Sequence, residues 1–326
     1  MKYIRLILIF IILTTLGILY ERYKTKFEPD QDLSKYHLVQ KYLLNEDAIL
    51  GGSKPLLWVH TKHEINSRNW ESFLSRSSYK LNQKYIELCI ESIIRHCNNS
   101  FNIVLIDDDS FEKLIPSWSV DMDNVPEPIK SHLRSLGIMK LMYYYGGMTV
   151  PNSSIVLKDL LPLYKEKCSN EGGPKCFVGE MVTRNTLATY TRFYPSHKIM
   201  GCEKNSKCFG QLISKIEKLI KDDNTTDMDF NGKIDKYIYE SCSKGRMKLV
   251  SGKLLGTKTK DDNVVVIDDL LNNTYIPFDK NIYMIYLPKD EILKRRKYQW
   301  FTKLNRKELF ECDTIASKQL VISHEI

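Results

Sequence analysis

The spacing of apolar residues predicts a strand, a helix and a second strand near the start of the folded part of the chain. Residues 55–60 form a short apolar run, which is typical of a buried strand. Residues 82–97 place apolar side chains about every 3.6 positions, which predicts a helix with one buried face. Residues 101–106 form a second apolar run. Together the three segments predict a βαβ unit and a mostly parallel sheet.

A longer helix and several short strands are expected further along. The helix begins near Pro126 or Pro128, because proline fits the first helical turn, and it ends at Gly146 and Gly147, because glycine adopts the left-handed conformation. Further strands are predicted at 148–150, 155–157, 176–178, 247–250, 264–267 and 282–286, and helices at 204–221 and 234–243. No linker rich in Pro, Gly or Ser divides this region, so we predict one α/β domain over residues 51–326.

The N-terminus contains an uncharged run, residues 6–20, preceded by Lys2 and Arg5. This run is shorter than the roughly 20 residues that usually span a bilayer, and no small-residue cleavage site follows it. We therefore predict an uncleaved signal-anchor over residues 1–26, a polar stem over residues 27–50 and a single-pass membrane protein. The orientation stays open because cations flank both sides of the run.

The net charge of +8 is concentrated at the N-terminus and in residues 289–307, whereas residues 27–288 are nearly neutral. A general nucleic-acid-binding surface is therefore not implied, and no nucleic-acid partner is predicted.

The eight cysteines include no CxxC pair, so a structural zinc site is not predicted. Cys89 lies on the apolar face of the predicted helix and is expected in the core. Cys202 and Cys208 could pair in an oxidising compartment.

The helix that ends in residues 143–147 (YYYGG) and leads into a short strand resembles glycosyltransferases with a DXD sugar-binding region. The closer resemblance is to capsular polysaccharide synthesis proteins. Segments 84–93, 104–111, 255–258 and 296–301 fit in the same order, so the likeness covers roughly residues 56–301. The resemblance implies a GT-A-type fold, a Rossmann-like sheet that binds a nucleotide-sugar at the carboxyl ends of its strands. That is where open α/β sheets place ligands in general.

The chain departs from this family at the metal-binding motif. Typical members carry an Asp and an Arg before the double glycine and a DxD after it, where this chain has Ser135 and Ile138, then Pro151, Asn152 and Ser153. The DxD carboxylates hold Mn²⁺ or Mg²⁺ against the donor diphosphate, and an amide or a hydroxyl supplies no such charge. Mn²⁺ or Mg²⁺ is therefore not supported, and no cofactor and no metal ligand are assigned.

The resemblance also implies roles for individual residues at the site. The predicted substrate-binding residues are Trp58, His60 and Asp107 on the nucleotide side, Gly146 and Gly147 at the turn, Ser154 at the donor sugar, and Arg295 and Arg296 at the diphosphate. The predicted catalytic residues are Asn152, Ser153 and Glu180. Preorganised arginines can offset charge on a leaving diphosphate, and a carboxylate can act as a base.

Three of these predictions have competing interpretations. The four cations at 294–297 could be a solvated helix face or a membrane-surface patch. The acidic residues 107–109 contain a formal DxD but could instead cap the next helix. Glu180 could simply be exposed after its strand.

The sequence thus predicts a hexosyltransferase-type glycosyltransferase that moves a sugar from a nucleotide-sugar donor to a hydroxyl of a glycan or polysaccharide acceptor. The alternative is a catalytically inactive GT-A-like protein with a membrane-anchored binding or structural role. A third interpretation, a basic membrane-surface adaptor, rests on residues 289–307.

Overall fold

The computed structural model describes residues 54–61, 83–168, 173–182, 193–222 and 227–325. All of them belong to one compact unit, Glu46–Ile326. The strands are β1 Leu56–His60, β2 Asn102–Ile106, β3 Gly147–Thr149, β4 Ser154–Val156, β5 Cys176–Val182, β6 Phe193–Cys202, β7 Lys248–Val250 and β8 Met284–Tyr286. The α-helices are α1 Lys84–Cys97, α2 Ser110–Leu114, α3 Ile129–Tyr145, α4 Leu161–Cys168, α5 Lys207–Lys221, α6 Asp227–Ser243, α7 Ile267–Leu270, α8 Lys289–Lys294, α9 Arg306–Glu311 and α10 Ile315–Glu325.

Six strands form one mixed, mostly parallel sheet in the order β2-β1-β3-β6-β5-β7, and β4 pairs with β8 in a second, antiparallel sheet. Strand β1 is parallel to β2 and β3, and β5 is parallel to β7, whereas β6 is antiparallel to both neighbours. The α/β class and the βαβ unit predicted from the sequence are confirmed. Strands β1, β2 and β3 end on the same side of the sheet, which we call the carboxyl edge.

Helix α1 forms where the sequence predicts it because its apolar face is buried. Tyr85, Ile86, Cys89, Ile93 and Cys97 are all almost completely shielded from solvent. Burial of a large apolar side chain contributes about 1.5–3 kcal/mol. The buried face therefore stabilises the helix although no side chain caps its N-terminus. The core assignment of Cys89 is confirmed.

Helix α3 ends at the double glycine, as predicted. Gly146 has φ 75° and Gly147 has φ 102°, a region that residues with a Cβ rarely adopt. At Gly147 a Cβ would also overlap the carbonyl oxygen of Leu56. Glycine is therefore required here for β3 to pair with β1.

One prediction from the strand pattern is wrong, and one strand was missed. Residues 264–267 do not form a strand: Val264 makes one isolated bridge to Lys258, and α7 begins at Ile267. The strand predicted near 155–157 is observed as β4, in the small sheet. Strand β6, the longest of those described, was not predicted because Pro195 and the polar residues after it hide its alternation.

No helix among the described residues is both long and apolar enough to cross a membrane. The predicted signal-anchor (1–26) and stem (27–50) lie outside the residues that the structure describes.

Candidate functional site at the carboxyl edge

Asp108 is the central charged group of the carboxyl edge, directly after β2, with its side chain 18% exposed. Arg134 of α3 donates two hydrogen bonds to it, from Nε to Oδ1 (2.7 Å) and from Nη2 to Oδ2 (2.6 Å). The Nε2 atom of His60, at the end of β1, lies 3.1 Å from Oδ1, and the Nζ atom of Lys130 lies 3.9 Å from Oδ2. One carboxylate thus orients side chains from β1 and α3.

The electrostatics of this group keep Asp108 ionised. Burial alone would raise its pKa, but the hydrogen bonds from His60 and Arg134 outweigh burial and hold the pKa far below the ordinary value. The pKa of His60 is lowered, first by burial and further by the charges of Arg134 and Lys289, against the opposing effect of Asp108. At neutral pH, His60 is therefore mostly a neutral imidazole that donates from Nε2 to a charged carboxylate.

A β-bulge in β6 adds two further polar side chains at this edge. The pairing of β5 with β6 jumps from Val178↔Met200 to Gly179↔Ser196, so residues 197–199 have no partner on β5. Because β6 runs antiparallel to β3, and Met200 pairs with Thr149 at the end of β3, the bulge extends past the carboxyl edge. Bulges of this kind re-aim side chains and are common beside active sites.

The bulge directs His197 and Lys198 to different neighbours. His197 places Nε2 3.5 Å from the Ser135 hydroxyl of α3 and Nδ1 3.4 Å from the Asp235 carboxylate of α6. Lys198 donates to the Tyr286 hydroxyl (3.0 Å), and its Nζ also lies 3.5 Å from Asp290 Oδ2. Its side chain is 33% exposed, so part of it faces solvent beside the carboxyl edge.

The segment after the double glycine is buried rather than open. Asn152 is 2% exposed, and Ser153 and Ser154 are fully buried. The Ser153 hydroxyl donates to the carbonyl oxygen of Leu287 (2.7 Å), whose backbone N–H donates back to the Ser153 carbonyl oxygen (2.9 Å). The Ser153 hydroxyl thus holds the β3–β4 segment against the residue that follows β8, and the catalytic role predicted for Ser153 stays a prediction.

Two buried polar atoms in this segment lack a hydrogen-bond partner in the described structure, the Asn152 side-chain Nδ2 and the Ser154 hydroxyl. A buried polar group left unpaired costs about 1–3 kcal/mol. A proposal for the segment must account for these two atoms.

Trp58 and Asp107 have structural partners. Trp58 is fully buried, and its indole Nε1 donates to the carbonyl oxygen of Gly146 (2.9 Å), so it supports the double-glycine turn from below instead of lining an open pocket. Asp107 accepts from the backbone N–H (2.9 Å) and the hydroxyl (2.6 Å) of Ser110 at the start of α2. The Asp107 carboxylate thus holds the start of α2, whereas the side chain of Asp109 makes no capping bond, and the substrate role predicted for Asp107 stays a prediction.

Glu180 on β5 is not simply exposed. Its Oε2 atom lies 2.8 Å from the Lys258 ammonium and accepts from the backbone N–H of Gly252 (2.9 Å). The Lys258 ammonium in turn lies 4.1 Å from the ring centroid of Phe193. This carboxylate fastens the turn at residues 252–258 to β5, and the role predicted for it in catalysis stays a prediction.

The predicted diphosphate-binding arginines lie beyond the end of α8. Arg295 lies at the helix end and contacts Asp268 (3.6 Å) and Glu291 (2.9 Å). Arg296 is exposed and begins a 3₁₀ turn, and Lys297 lies 2.8 Å from Asp268. The run at 294–297 therefore crosses a helix end instead of lying on one helical face, and part of its charge is neutralised by acidic partners.

The structure thus adds residues that the sequence reading did not assign: Asp108, Lys130, Arg134, His197 and Lys198. Lys130 and Arg134 were open to prediction, because residues four apart share one helical face and Asp108 directly follows a predicted strand. His197 and Lys198 gave no signal, because their strand was not recognised. Within the described part of the chain, no group of three or more His, Cys, Asp or Glu side chains is arranged to hold a metal ion.

Comparison with known proteins gives partial likenesses to solved structures, two of which follow. No family model and no curated protein sequence matches this chain. Among solved structures it is similar to the PaToxG glycosyltransferase, at 13% identity over 58% of this chain and 70% of that chain, with a TM-score of 0.34. It is also similar to the apo form of mouse xyloside xylosyltransferase 1, at 10% identity over 73% of this chain and 98% of that chain, with a TM-score of 0.41. At these scores neither likeness decides the function, which must be argued from the site.

Proposed function

We propose that this protein is a glycosyltransferase that binds a nucleotide-sugar at the carboxyl edge and transfers the sugar to a hydroxyl acceptor without a DXD-bound metal. The observation that carries the proposal is the set of basic side chains at that edge, His60, Lys130, Arg134, His197 and Lys198. They stand where an open α/β sheet of the GT-A type would hold its donor.

Lys198 is the residue we assign to the leaving diphosphate. Transfer from a nucleotide-sugar builds negative charge on the departing diphosphate, and a preorganised cation can stabilise it in place of a metal. The ammonium is held in position by Tyr286, its side chain is one third exposed, and the residue lies in the bulge beside the carboxyl edge. Arg134 has both hydrogen-bonding edges occupied by Asp108 and Glu127, so we assign it a positioning role.

His197 is the residue we assign as the base for the acceptor hydroxyl. When Nδ1–H donates to Asp235, Nε2 is left as the proton acceptor, and this atom faces the Ser135 hydroxyl. An acceptor hydroxyl that took the place of the Ser135 contact would lie within reach of Nε2. Glu180 is the weaker choice, because Lys258 already neutralises it.

The remaining predictions enter the proposal with narrower roles. The unpaired Asn152 amide and Ser154 hydroxyl would be satisfied if a small opening of the segment admitted a sugar hydroxyl or a water molecule. Arg295 and Arg296 keep their proposed role at the diphosphate. The proposed acceptor is a glycan or a polysaccharide. Residues 1–26 are proposed as a single membrane anchor.

Calorimetry tests the donor site with a panel of UDP- and GDP-sugars, each measured with EDTA and with Mn²⁺. We expect one donor to bind equally well in both conditions, and Lys198→Ala to weaken its binding by about tenfold, the loss of one charge-assisted contact. Lys307→Ala, which removes an exposed ammonium on α9, serves as the matched control and should bind like the wild type. No binding by any donor would overturn the proposal.

Transfer is tested separately from binding. His197→Ala should retain donor affinity but lose at least about a hundredfold in transfer or donor-hydrolysis rate, as expected for loss of a general base. A variant that transfers sugar at the wild-type rate would remove His197 from this role.

The burial of residues 152–154 favours a second candidate, a catalytically inactive protein of the same fold with a binding or structural role. In that case the segment has a structural role, and the hydrogen bond from Ser153 to Leu287 holds it in place. Absence of donor binding together with a stable fold would support this candidate over the transferase.

A further inference from the structure

A cavity of about 560 Å³ lies away from the carboxyl edge, where β5 begins and β6 ends. Lys175, Lys204, Lys207 and Arg246 line it, with Glu203 as an acidic member that pairs with Lys175 at 2.9 Å. The surroundings are therefore strongly positive. Two cysteines, Cys176 and Cys208, line the same cavity.

The thiols of Cys176 and Cys208 line the same cavity and interact with each other. Cys176 is the first residue of β5, and its sulfur also lies 3.4 Å from the carbonyl oxygen of Arg246. Cys208 is the second residue of α5, and it is partly exposed whereas Cys176 is buried. The more accessible thiol thus has a second thiol directly behind it.

The two thiols differ in acidity. Its interaction with the Cys176 thiol lowers the pKa of Cys208, and this effect, helped by the charge of Arg246, outweighs burial. The first turn of a long helix acts in the same direction, because its backbone N–H groups favour a thiolate. Conversely, the pKa of Cys176 is raised, first by its interaction with Cys208 and then by burial. The groups facing Cys208 from α6 are Cys242 and Tyr237, neither of which is charged at neutral pH.

Cys202, which the sequence offers as a partner of Cys208 in an oxidising compartment, does not share these properties. It is fully buried, its thiol donates to the carbonyl oxygen of Met142 (3.4 Å), and burial holds its pKa well above the ordinary value. It is placed as a core residue next to β3.

We propose that Cys208 and Cys176 form a peroxide-reactive dithiol, in which Cys208 is the attacking thiolate and Cys176 the resolving thiol. The Cys208 sulfur attacks one peroxide oxygen, an S–O bond forms, the O–O bond breaks, and the departing oxygen takes a proton and leaves as water or an alcohol. Cys176 then attacks the sulfur of the Cys208 sulfenic acid. The S–S bond forms as the S–O bond breaks, and the hydroxyl group leaves with the Cys176 proton as water. The two thiols are oxidised by two electrons, and the hydroperoxide is reduced.

The sequence makes the linkage simple to identify. Trypsin cleaves after Lys175, Lys198, Lys204 and Lys207, so Cys176, Cys202 and Cys208 lie in three different peptides. After the full chain is treated with hydrogen peroxide and the remaining thiols are blocked with N-ethylmaleimide, we expect a Cys176–Cys208 crosslinked peptide that a reductant removes. A crosslink to Cys202 in its place, or no crosslink, would overturn the proposal.

The order of attack is tested by variants and by labelling. Cys176→Ser should leave Cys208 as a sulfenic acid that dimedone traps, whereas Cys208→Ser should give no dimedone adduct at Cys176. Cys312→Ser, at a partly exposed cysteine of the C-terminal region, is the matched control and should crosslink like the wild type. In the unmodified protein, which requires no variant to fold, iodoacetamide should label Cys208 at least about tenfold faster than Cys312. Equal labelling rates would contradict the assignment of Cys208 as the attacking thiolate.

Discussion

A single methyl group at Gly147 would test how tightly the double-glycine turn is held. Gly147→Ala places a Cβ against the Leu56 carbonyl oxygen at a positive φ, so we expect a loss of about 2–4 kcal/mol in the free energy of unfolding. Gly245→Ala is the matched control, because Gly245 also has positive φ (66°) but nothing within 4 Å of its added Cβ. The control should lose only about 1 kcal/mol, the conformational cost alone. Urea denaturation measures both, and equal losses would show that the contact with β1 is not rigid.

Asp108 allows a second test, of the charge network at the carboxyl edge. Asp108→Asn keeps the shape of the side chain but leaves the Arg134 guanidinium without its bidentate acceptor. Because both side chains are less than one fifth exposed, we expect a loss of about 2–3 kcal/mol in the free energy of unfolding. Glu127→Gln removes the other carboxylate that contacts Arg134. Because the Glu127 side chain is half exposed, this change should lower the free energy of unfolding by less than about 1 kcal/mol. If the two variants lose the same stability in urea denaturation, Asp108 is not the organising group.

These residues also show what single-residue reasoning from sequence can and cannot reach. The conformational demand at Gly146 and Gly147 was predictable, because it depends only on local backbone geometry. The roles of Trp58 and Ser153 were not, because their partners, Gly146 and Leu287, lie 88 and 134 positions away along the chain. A chemistry-bearing residue type at a strand end indicates where a site could be, but its hydrogen-bond partners decide what that side chain does.

The attachment of α1 to the two C-terminal helices predicts a specific dependence of stability on pH. Burial alone would raise the pKa of Glu91 on α1, but its contacts with His324 on α10 (3.6 Å) and Arg306 on α9 (2.7 Å) outweigh burial and lower the pKa to about 2, against an ordinary value of 4.5. A depressed folded-state pKa contributes stability that is fully present above pH 4.5 and is lost as the pH falls towards 2. Between pH 4.5 and 2, the free energy of unfolding of Glu91→Gln should therefore fall less than that of the wild type. The difference should be about 1–2 kcal/mol after allowance for solvent screening.

The control for this prediction is Glu311→Gln on α9, a well-exposed carboxylate 3.7 Å from Lys307. It should leave the dependence of unfolding free energy on pH unchanged. An acid limb of the same slope in the wild type and in Glu91→Gln would show that the three helices are not coupled through this carboxylate.

Among the secondary-structure elements, those with a uniform pattern were predictable and those with an interrupted pattern were not. Helix α1 and strands β1 and β2 each carry one clear periodicity, and the predicted bounds lie within two residues of those observed. Strand β6 contains Pro195 and a bulge, and each breaks the alternation on which strand prediction depends. Strand β6, which was not predicted, also supplies His197 and Lys198. The bulge that hides this strand in the sequence is the feature that turns these two side chains towards neighbouring elements.

Considered as a whole, the two proposed sites lie at separate places on one sheet. The carboxyl edge collects basic groups around Asp108, and the cavity at the start of β5 is lined by Cys176 and Cys208. Strand β5 connects the two, with Cys176 at its first residue and Glu180 four positions later. The fold class and the location of the first place follow from the predicted βαβ unit. The second depends on the meeting of β5 with α5, which no local sequence pattern encodes.

The manner of membrane attachment distinguishes the proposed anchor at residues 1–26 from a basic membrane surface at residues 289–307. The uncharged run at residues 6–20 should insert its apolar side chains into the bilayer, so the full chain should float with liposomes after alkaline carbonate treatment and high salt. A basic surface attached only by residues 289–307 would be released by salt, because attraction to anionic lipid is screened. That surface is already weakened by the pairing of Arg295 and Lys297 with Asp268. A chain that begins at residue 27 is the matched control and should not float, and its continued flotation under the same washes would place the attachment elsewhere.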